Sequence, residues 1–457
     1  MHRATFIRMA FLVCLSLGWS LTSFSQRSLP QEDEVSLFLD NLFAATDVMV
    51  TDVAAPTGAA RFYSYMLLGA YIVQSDLFPD EVSATLYEGF ASPFELEREN
   101  LPIREDLDAG FCSIYTLLEI GKAIMPSGKK LEQSQELLLR TYQKNRIIPK
   151  KDFARHKSYA EHIAAQVISY AAEDGYRKLS TLKRYSPKNQ PGTWYPTPPA
   201  YMAAIDPEWK TIRTFLLPSL EPFKPTPPKP YNLIEGSDFQ QLVQEVYQIT
   251  STLSEEQILI ANFWDCNPFK VEYTGHMAIG LKKISPGGHW IGITGIASQK
   301  AGLNLAETIR VHTYVALGLH DAFVSCWEEK YNSDRIRPVT AINESIDPSW
   351  QPLLQTPPFP EYTSGHSVIS RVSARILTAY FGDGFGFVDT SEVFFGLPER
   401  SFQSFIQAAD EAAISRLYGG IHYKDAIEEG VTQGDKIADY ILQKHLPVRL
   451  QLGQLHD

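Results

Sequence analysis

Apolar residues recur three and four positions apart over most of the chain, which is the pattern of helices that bury one face. The pattern is clearest in four segments, residues 35–46, 132–144, 239–251 and 431–445. The alternation typical of strands is scarce. Ser254 and Gln257 have the spacing of a capping box, so we expect a helix to begin there and to place Asp265 beyond its far end. These patterns predict an all-α protein built of helical bundles.

Residues 187–230 interrupt the helical pattern with a high density of proline. A proline-rich run is often a linker between domains. This one also keeps Trp194, Trp209 and Phe215, which a solvated linker would not retain. We therefore expect an ordered loop across the surface of one domain. That domain would span residues 27–457, with a helical scaffold over 27–186 and a helical core that carries the active site over 231–457.

The N-terminus has basic residues, then an apolar run from Ala10 to Trp19, then a polar stretch. This order is typical of a secretory signal peptide, which we assign to residues 1–26. A short membrane anchor is the alternative, but the run is shorter than the ~20 residues that span a bilayer. We therefore expect a secreted or periplasmic protein without a membrane span.

The composition limits the partners of the chain. Its 457 residues are 44% hydrophobic, enough for a large core, and its net charge of −12 disfavours binding to nucleic acids or anionic membranes. Beyond the signal segment lie Cys112, Cys266 and Cys326, an odd number at wide spacings that predicts no disulfide framework. The sequence contains no Cys-x-x-Cys pair of the kind that indicates a zinc site. Any tight anion site must be a local feature.

Two cations stand close together in the segment 326–338. Six residues separate Lys330 from Arg337, nearly two helical turns, so a continuous helix would project both from one side. Pro338 would then end that helix. For either cation alone, a solvated helix face is the ordinary alternative.

Ser364, Gly365 and His366 form a short polar cluster ahead of an apolar stretch, which predicts a turn that leads into a helix. The first turn of a helix offers free N–H groups and positive potential to an anion, and glycine allows a close approach. The imidazole of His366 can exchange protons near neutral pH. Taken alone, Ser-Gly-His is a common cap-and-turn sequence.

A third cluster places Arg416 six residues before His422, with Gly419 and Gly420 between them. The two glycines would relieve crowding where a ligand approaches the imidazole. A histidine beside two glycines is more often structural.

Together the three clusters read Lys-x6-Arg-Pro, Ser-Gly-His and Ser-Arg-x5-His, in the order and with the internal spacings of one family. The chain resembles the vanadium haloperoxidases, members of the type 2 phosphatidic acid phosphatase superfamily. Trp327, three residues before Lys330, and the loop 192–199 are also similar to bacterial members. The resemblance extends over roughly residues 192–443, and the preceding part is matched only as helical scaffold.

The resemblance implies a cofactor and a role for each residue. One vanadate per chain would be bonded to His422, and phosphate could occupy the same site. The oxygens of the anion would be held by Lys330, Arg337, Ser364, Gly365 and Arg416. His366 would act as general acid and base while hydrogen peroxide oxidises a halide, and Trp327 and Phe359 would line the halide side, although core packing explains these two residues equally well.

One departure concerns the surroundings of His422. The superfamily usually places an aspartate four residues beyond this histidine, where the chain has Ala426, and Asp425 stands one position early. A ligating imidazole generally donates its other N–H to an orienting group. Asp425 or a backbone carbonyl could serve, and Asp265 is a candidate partner for Arg416. The departure also weakens a phosphohistidine mechanism.

Two other functions compete with halide oxidation. A secreted acid phosphatase would use His422 as nucleophile and His366 as acid, but soluble phosphatases of this superfamily are much shorter chains. A helical binding protein that has lost activity is disfavoured by the intact cations and histidines. Iodide or bromide is the expected halide, with iodide favoured by the likeness to bacterial secreted members, and the sequence leaves open whether the protein is a monomer or a homodimer.

Overall fold

The computed structural model describes residues 29–99, 101–274, 276–280 and 282–446. The segment 1–26, predicted as a signal peptide, lies outside the described residues. The helices are α1 Gln31–Thr51, α2 Pro56–Leu77, α3 Thr85–Glu88, α4 Ala109–Ile124, α5 Glu132–Lys144, α6 Phe153–Ala172, α7 Asp238–Thr250, α8 Glu255–Phe263, α9 Pro286–Lys300, α10 Leu305–Ser333, α11 Pro338–Ser345, α12 Gly365–Phe381, α13 Phe405–Tyr418 and α14 Lys424–Lys444. The strands are β1 Val271–Thr274, β2 Met277–Gly280, β3 Phe387–Asp389 and β4 Arg400–Phe402.

This inventory confirms the predicted all-α class. In the described residues the named strands form two small antiparallel pairs, β1 with β2 and β3 with β4. All four segments with clear helical periodicity are helices, and the Ser254–Gln257 capping box begins α8 as predicted. Within the described part of the chain, no helix is long and apolar enough to cross a membrane.

The long helix α10 joins two bundles. A capping box of Asn304 and Glu307 fixes its start, and its residues are buried on several faces. On one side α10 packs against α2, which contacts α4 and α6; on the other it packs against α12, which contacts α13 and α14. One apolar core runs through both bundles, because α10 contributes to each.

The proline-rich loop is ordered and packs onto the bundles. Trp194, Trp209 and Phe215 of this loop are buried. Thr193 pairs with Arg335 as a β-bridge, and the Trp194 N–H donates to the Asp334 carbonyl at 2.8 Å. The loop therefore fixes the backbone between α10 and α11. The three cysteines beyond the predicted signal segment are buried and form no disulfide.

Candidate active site

The motif residues meet where several helices end. Lys330 lies in the last turn of α10 and Arg416 in the last turn of α13. Arg337 and Ser364 are the N-cap residues of α11 and α12. His422 lies in the turn between α13 and α14. Residues that are far apart in the sequence thus share one small volume.

The helix predicted to carry both Lys330 and Arg337 is interrupted, so that prediction is wrong in its detail. Helix α10 ends at Ser333, and Asp334 adopts the left-handed conformation with φ 50°. Pro338 begins α11 instead of ending a helix, because the first helical position needs no N–H donor. Across this break, Lys330 and Arg337 both donate to the carbonyl of Pro360, at 3.2 and 3.4 Å.

The Lys330 ammonium is held by backbone carbonyl groups. Its Nζ donates to the carbonyls of Pro360, Glu361 and Thr363 at 3.2, 3.1 and 2.5 Å. The side chain is fully buried, and this burial lowers the pKa of Lys330 to about 8. The carbonyl groups orient the ammonium without neutralising its charge.

Arg337 and Arg416 are held in the same way. Arg337 donates to the carbonyls of Phe359 and Ile421 at 2.9 Å each, and Arg416 to that of Trp264 at 2.7 Å. Burial lowers the pKa of Arg337 to about 10 and also lowers that of Arg416.

Among the residues that the structure describes, none of these three cations forms an ion pair with a carboxylate. Three buried positive charges are costly unless an anion joins them. A small, multiply charged oxyanion satisfies this requirement, since charge-assisted hydrogen bonds would replace its hydration. The three side chains therefore fit vanadate or phosphate.

The His422 imidazole has different partners on its two nitrogens. Its Nδ1 lies 2.8 Å from Glu361 Oε1, and its Nε2 lies 3.2 Å from a guanidinium nitrogen of Arg337. A carboxylate only accepts hydrogen bonds, so Nδ1 carries the proton and Nε2 keeps its lone pair. Burial, followed by the charges of Arg337 and Lys330, holds the pKa of His422 well below its usual value. The neutral ring can bond a metal through Nε2.

Glu361 is the functional residue that the sequence interpretation missed. Asp425 and a backbone carbonyl were the two candidates for orienting His422, but among the described residues it is Glu361 that contacts Nδ1, while Asp425 contacts Arg335. Glu361 also accepts from the Tyr423 N–H at 3.0 Å. In the sequence, the feature that pointed to Glu361 was its position three residues before Ser364 of the Ser-Gly-His motif.

Asp425 acts through Arg335. Both Asp425 oxygens accept from the Arg335 guanidinium at 2.7 Å, and the Arg335 Nε donates to Glu361 at 2.6 Å. Burial opposes the charge of Arg335, but Glu361 and Asp425 outweigh it and raise the pKa of this arginine. Asp425, Arg335, Glu361 and His422 thus form one continuous chain of charged hydrogen bonds.

Asp265 does not pair with Arg416, contrary to the prediction. Its carboxylate lies 3.1 Å from Lys283 and 3.3 Å from Lys270, in the segment around β1 and β2. Arg416 is turned instead to the carbonyl of Trp264, at the end of α8. Asp265 still acts at a distance, because its charge offsets part of the effect of burial on the pKa of Arg416.

The N-terminus of α12 faces the same region. Ser364 accepts from the Ser367 N–H at 3.3 Å, which confirms the predicted turn into a helix. Among the residues that the structure describes, none is a hydrogen-bond partner of His366 Nε2. Burial together with Arg416 holds the pKa of His366 well below its usual value. This unpartnered atom is available to a bound ligand.

A cavity opens onto these groups. Its wall includes Trp327, Phe359, Gly365, His366, Arg416 and His422. The rings of Trp327 and Phe359 lie 4.9 Å apart and form an apolar side of the wall beside the cations.

The glycines before His422 have another role than the one expected. Gly420 has φ 73°, and a Cβ there would lie 3.1 Å from the Trp350 ring. At Gly419 a Cβ would lie 2.7 Å from Leu354. Both glycines therefore allow the turn to pack on its neighbours, and neither makes room for a ligand.

The all-α fold and the buried cluster of three cations beside His422 can be compared with known proteins. Residues 310–448 match the family described as VCPO second helical-bundle domain. The crystal structure of a bacterial vanadium-dependent iodoperoxidase is similar with a TM-score of 0.81 and 38% identity, over 92% of this chain and 98% of that one. No curated protein sequence matches.

Two bacterial vanadium-dependent chloroperoxidase structures share the fold at 14% identity. The holo form has a TM-score of 0.60, over 86% of this chain and 94% of that one, and the apo form 0.61, over 85% and 95%. The chain belongs to the vanadium-dependent haloperoxidases. The predicted family and enzyme class are thereby confirmed.

Proposed function

We propose that this haloperoxidase oxidises iodide with hydrogen peroxide, using vanadate bonded to His422 Nε2. The observation that carries the proposal is the asymmetry of the imidazole. Its Nδ1 contacts Glu361, whereas its Nε2 lies beside Arg337 and in the field of Lys330 and Arg416, three buried cations without a carboxylate partner in the described part of the chain. The iodoperoxidase that is 38% identical supports iodide as the substrate.

The anion would be held by side chains that are already oriented. Lys330, Arg337 and Arg416 would donate charge-assisted hydrogen bonds to its oxygens, and their backbone contacts fix the direction of each donor. The hydroxyl of Ser364 and the N–H of Gly365 would add neutral donors at the start of α12. When bound, vanadate supplies a Lewis acid that activates hydrogen peroxide towards a halide.

His366 would carry the proton of the reaction. Oxidation of one iodide to hypoiodous acid reduces one peroxide to water and consumes one proton. The unpartnered Nε2 of His366 lies in the cavity wall, where it can take up and release that proton. Its lowered pKa keeps the imidazole neutral in the absence of an anion, and a bound anion would raise that pKa.

The halide would approach along the apolar wall formed by Trp327 and Phe359. These rings exclude water from one side of the cations, since both are almost fully buried. Iodide is a large, weakly hydrated anion, so it gives up less hydration free energy than chloride does when it moves from water to this apolar side of the cavity. The wall therefore favours iodide over chloride.

The test is a substrate panel on protein freed of bound anions and reconstituted with orthovanadate. We expect vanadate-dependent oxidation of iodide by hydrogen peroxide, slower oxidation of bromide and none of chloride, with inorganic phosphate as a competitor. The anion-free protein is assayed with p-nitrophenyl phosphate before vanadate is added. Turnover of this ester without iodide oxidation at saturating vanadate would contradict the proposal.

Glu361 keeps a second function open, a phosphatase that uses His422 as nucleophile. The missing aspartate after His422 seemed to weaken that mechanism, but Glu361 supplies an orienting carboxylate at 2.8 Å. The orientation of His422 therefore does not separate the two reactions. The substrate panel separates the two reactions, because only a haloperoxidase requires vanadate and hydrogen peroxide together.

A further inference from the structure

A second cluster of buried polar side chains lies beside the active-site cavity. Cys266 follows α8, His289 lies in the first turn of α9, and Glu392 follows β3. Their residues are only 2%, 0% and 3% exposed. These positions come from three separate segments, so sequence spacing gave no sign of the cluster.

We propose that Cys266, His289 and Glu392 bind a zinc ion that is distinct from the vanadate. Cys266 Sγ lies 3.4 Å from His289 Nδ1, Glu392 Oε1 lies 3.3 Å from the same nitrogen, and Sγ lies 3.8 Å from Oε1. Zinc bonds of ~2.3 Å to sulfur and ~2.0–2.2 Å to nitrogen and oxygen would separate tetrahedral ligand atoms by ~3.3–3.6 Å. The three atoms thus already form nearly one face of a zinc tetrahedron.

The histidine of the cluster is oriented as metal-binding histidines usually are. Its Nε2 lies 2.7 Å from Asp389, which leaves Nδ1 free to face Cys266 and Glu392. Asp389 is fixed in turn by the N–H and hydroxyl of Ser391, at 3.0 and 2.6 Å. The Trp264 ring stacks on the imidazole with 4.5 Å between ring centres. The ring therefore has one orientation, set by groups outside the ligand set.

Charge and donor type both favour zinc. Zinc would displace the protons of the thiol and of the imidazole Nδ1, and the resulting thiolate and two carboxylates would carry three negative charges, of which the divalent cation offsets two. Thiolate and imidazole together select zinc over magnesium or calcium, which prefer oxygen ligands. Cys266 also lines the active-site cavity, from which water can supply a fourth ligand.

The alternative is a hydrogen-bonded cluster of protonated groups without an ion. In that state Cys266 Sγ shares protons with His289 at 3.4 Å and with Glu392 at 3.8 Å. In this state the Nδ1–H of a protonated His289 and the thiol of Cys266 can both donate to Glu392, so two protons account for the contacts that one zinc ion would make. The two states differ in whether the purified protein retains zinc.

The ion would support the active site without taking part in the reaction. It would connect the end of α8, the start of α9 and the turn after β3. The first of these segments includes Trp264, whose carbonyl accepts from Arg416 at 2.7 Å. Zinc would thus stabilise the backbone that orients one of the three site cations, and the proposal does not depend on which halide is oxidised.

Elemental analysis of the full-length chain, expressed without an affinity tag, tests this inference. After exposure to zinc and dialysis, we expect about one zinc per chain in the wild type and in the Cys112→Ala variant, whose thiol is buried elsewhere. Cys266→Ala should retain none. Vanadium, measured in the same samples, should be lost in His422→Ala while zinc remains.

Glu392→Gln keeps the size of the side chain and serves as a second variant should Cys266→Ala fold poorly. We expect its zinc affinity to fall by ~100-fold, since a neutral amide is a poor ligand. Cobalt substitution should give a thiolate-to-cobalt absorption band in the wild type and in Cys112→Ala that is absent from Cys266→Ala. A wild-type chain that retains no zinc, or both cluster variants retaining as much zinc as the wild type, would overturn the proposal.

Discussion

Arg335 and Arg337 are two residues apart and both buried, yet they lie on opposite sides of the His422 imidazole. Arg335 binds two carboxylates, Glu361 and Asp425, and its pKa is raised. Within the described ranges, the partners of Arg337 are backbone carbonyls and the histidine ring, and burial lowers its pKa to about 10. The charge of Arg335 is thus neutralised by carboxylates of the protein, whereas the charge of Arg337 is available to a bound anion.

This difference assigns two tasks to the two sides of the ring: one side orients the His422 imidazole and the other binds the anion. On the Nδ1 side the charges are complete, so the network can hold the ring in one direction whether or not a ligand is present. On the Nε2 side the positive charge is in excess, so an anion gains strong interactions there. Substitutions on the two sides should therefore affect vanadate affinity to different degrees.

The largest effect is expected from His422→Ala, which removes the metal ligand itself. Vanadate affinity should fall by ~1,000-fold or more, equivalent to ~4 kcal/mol of binding free energy. Titration calorimetry with orthovanadate measures this loss, and His162→Ala, at an exposed histidine of α6, is the matched control. Equal affinities in the wild type and in His422→Ala would contradict the assignment of Nε2 as the ligand.

His366→Ala should separate turnover from binding. The imidazole lies in the cavity wall with a free Nε2, so its loss should lower kcat for iodide oxidation by ~100- to 10,000-fold. Vanadate affinity should change little, because three cations and His422 remain. Steady-state kinetics at saturating vanadate measures the first effect and calorimetry the second. A variant with normal kcat would exclude His366 as the proton carrier.

Glu361→Gln tests the orienting side of the ring. The amide keeps the shape of the side chain but loses the charge that holds the Nδ1 proton, so vanadate affinity should fall by ~10- to 100-fold. Asp425→Asn is the control one step further away. It should have a smaller effect, since Arg335 keeps its bond to Glu361. A larger loss in Asp425→Asn than in Glu361→Gln would reverse the proposed order of the network.

The smallest effect is a pH dependence that arises from Lys330. Without an anion the pKa of Lys330 is about 8, and a bound anion raises it, so binding above that pH takes up a proton. Vanadate affinity should lose ~10-fold per pH unit above ~8 from this residue alone. Lys330→Arg stays charged and should lack this component, whereas the ionisation of vanadate affects both proteins equally. Identical pH slopes would show that Lys330 does not titrate in this range.

The sequence predicted what depends on local pattern. Helical periodicity indicated the bundles, and the capping box located the start of α8. Ser364, Gly365 and His366 were assigned to a helix start because capping is a property of neighbouring residues. The spacings Lys-x6-Arg-Pro and Ser-Arg-x5-His were sufficient to indicate the family, since each motif lies within a single turn region.

Pairings between distant segments were decided only by the tertiary structure. The spacing left Asp425 and a backbone carbonyl as candidates for orienting His422, but the turn before α12 brings Glu361 to the ring and leaves Asp425 to Arg335. Pro338 seemed to end a helix, because its role depends on where α10 stops.

By itself the sequence thus determined the all-α class, the family and the positively charged groups of the site, each of which depends on residues that are close along the chain. Which buried charges are neutralised, and which await an anion, was decided by side chains that meet only after folding. The cluster of Cys266, His289 and Glu392 has the same origin, since its members lie on three segments that only the packed helices bring together. Electrostatic compensation depends on distance in space, and spacing along the chain does not record it.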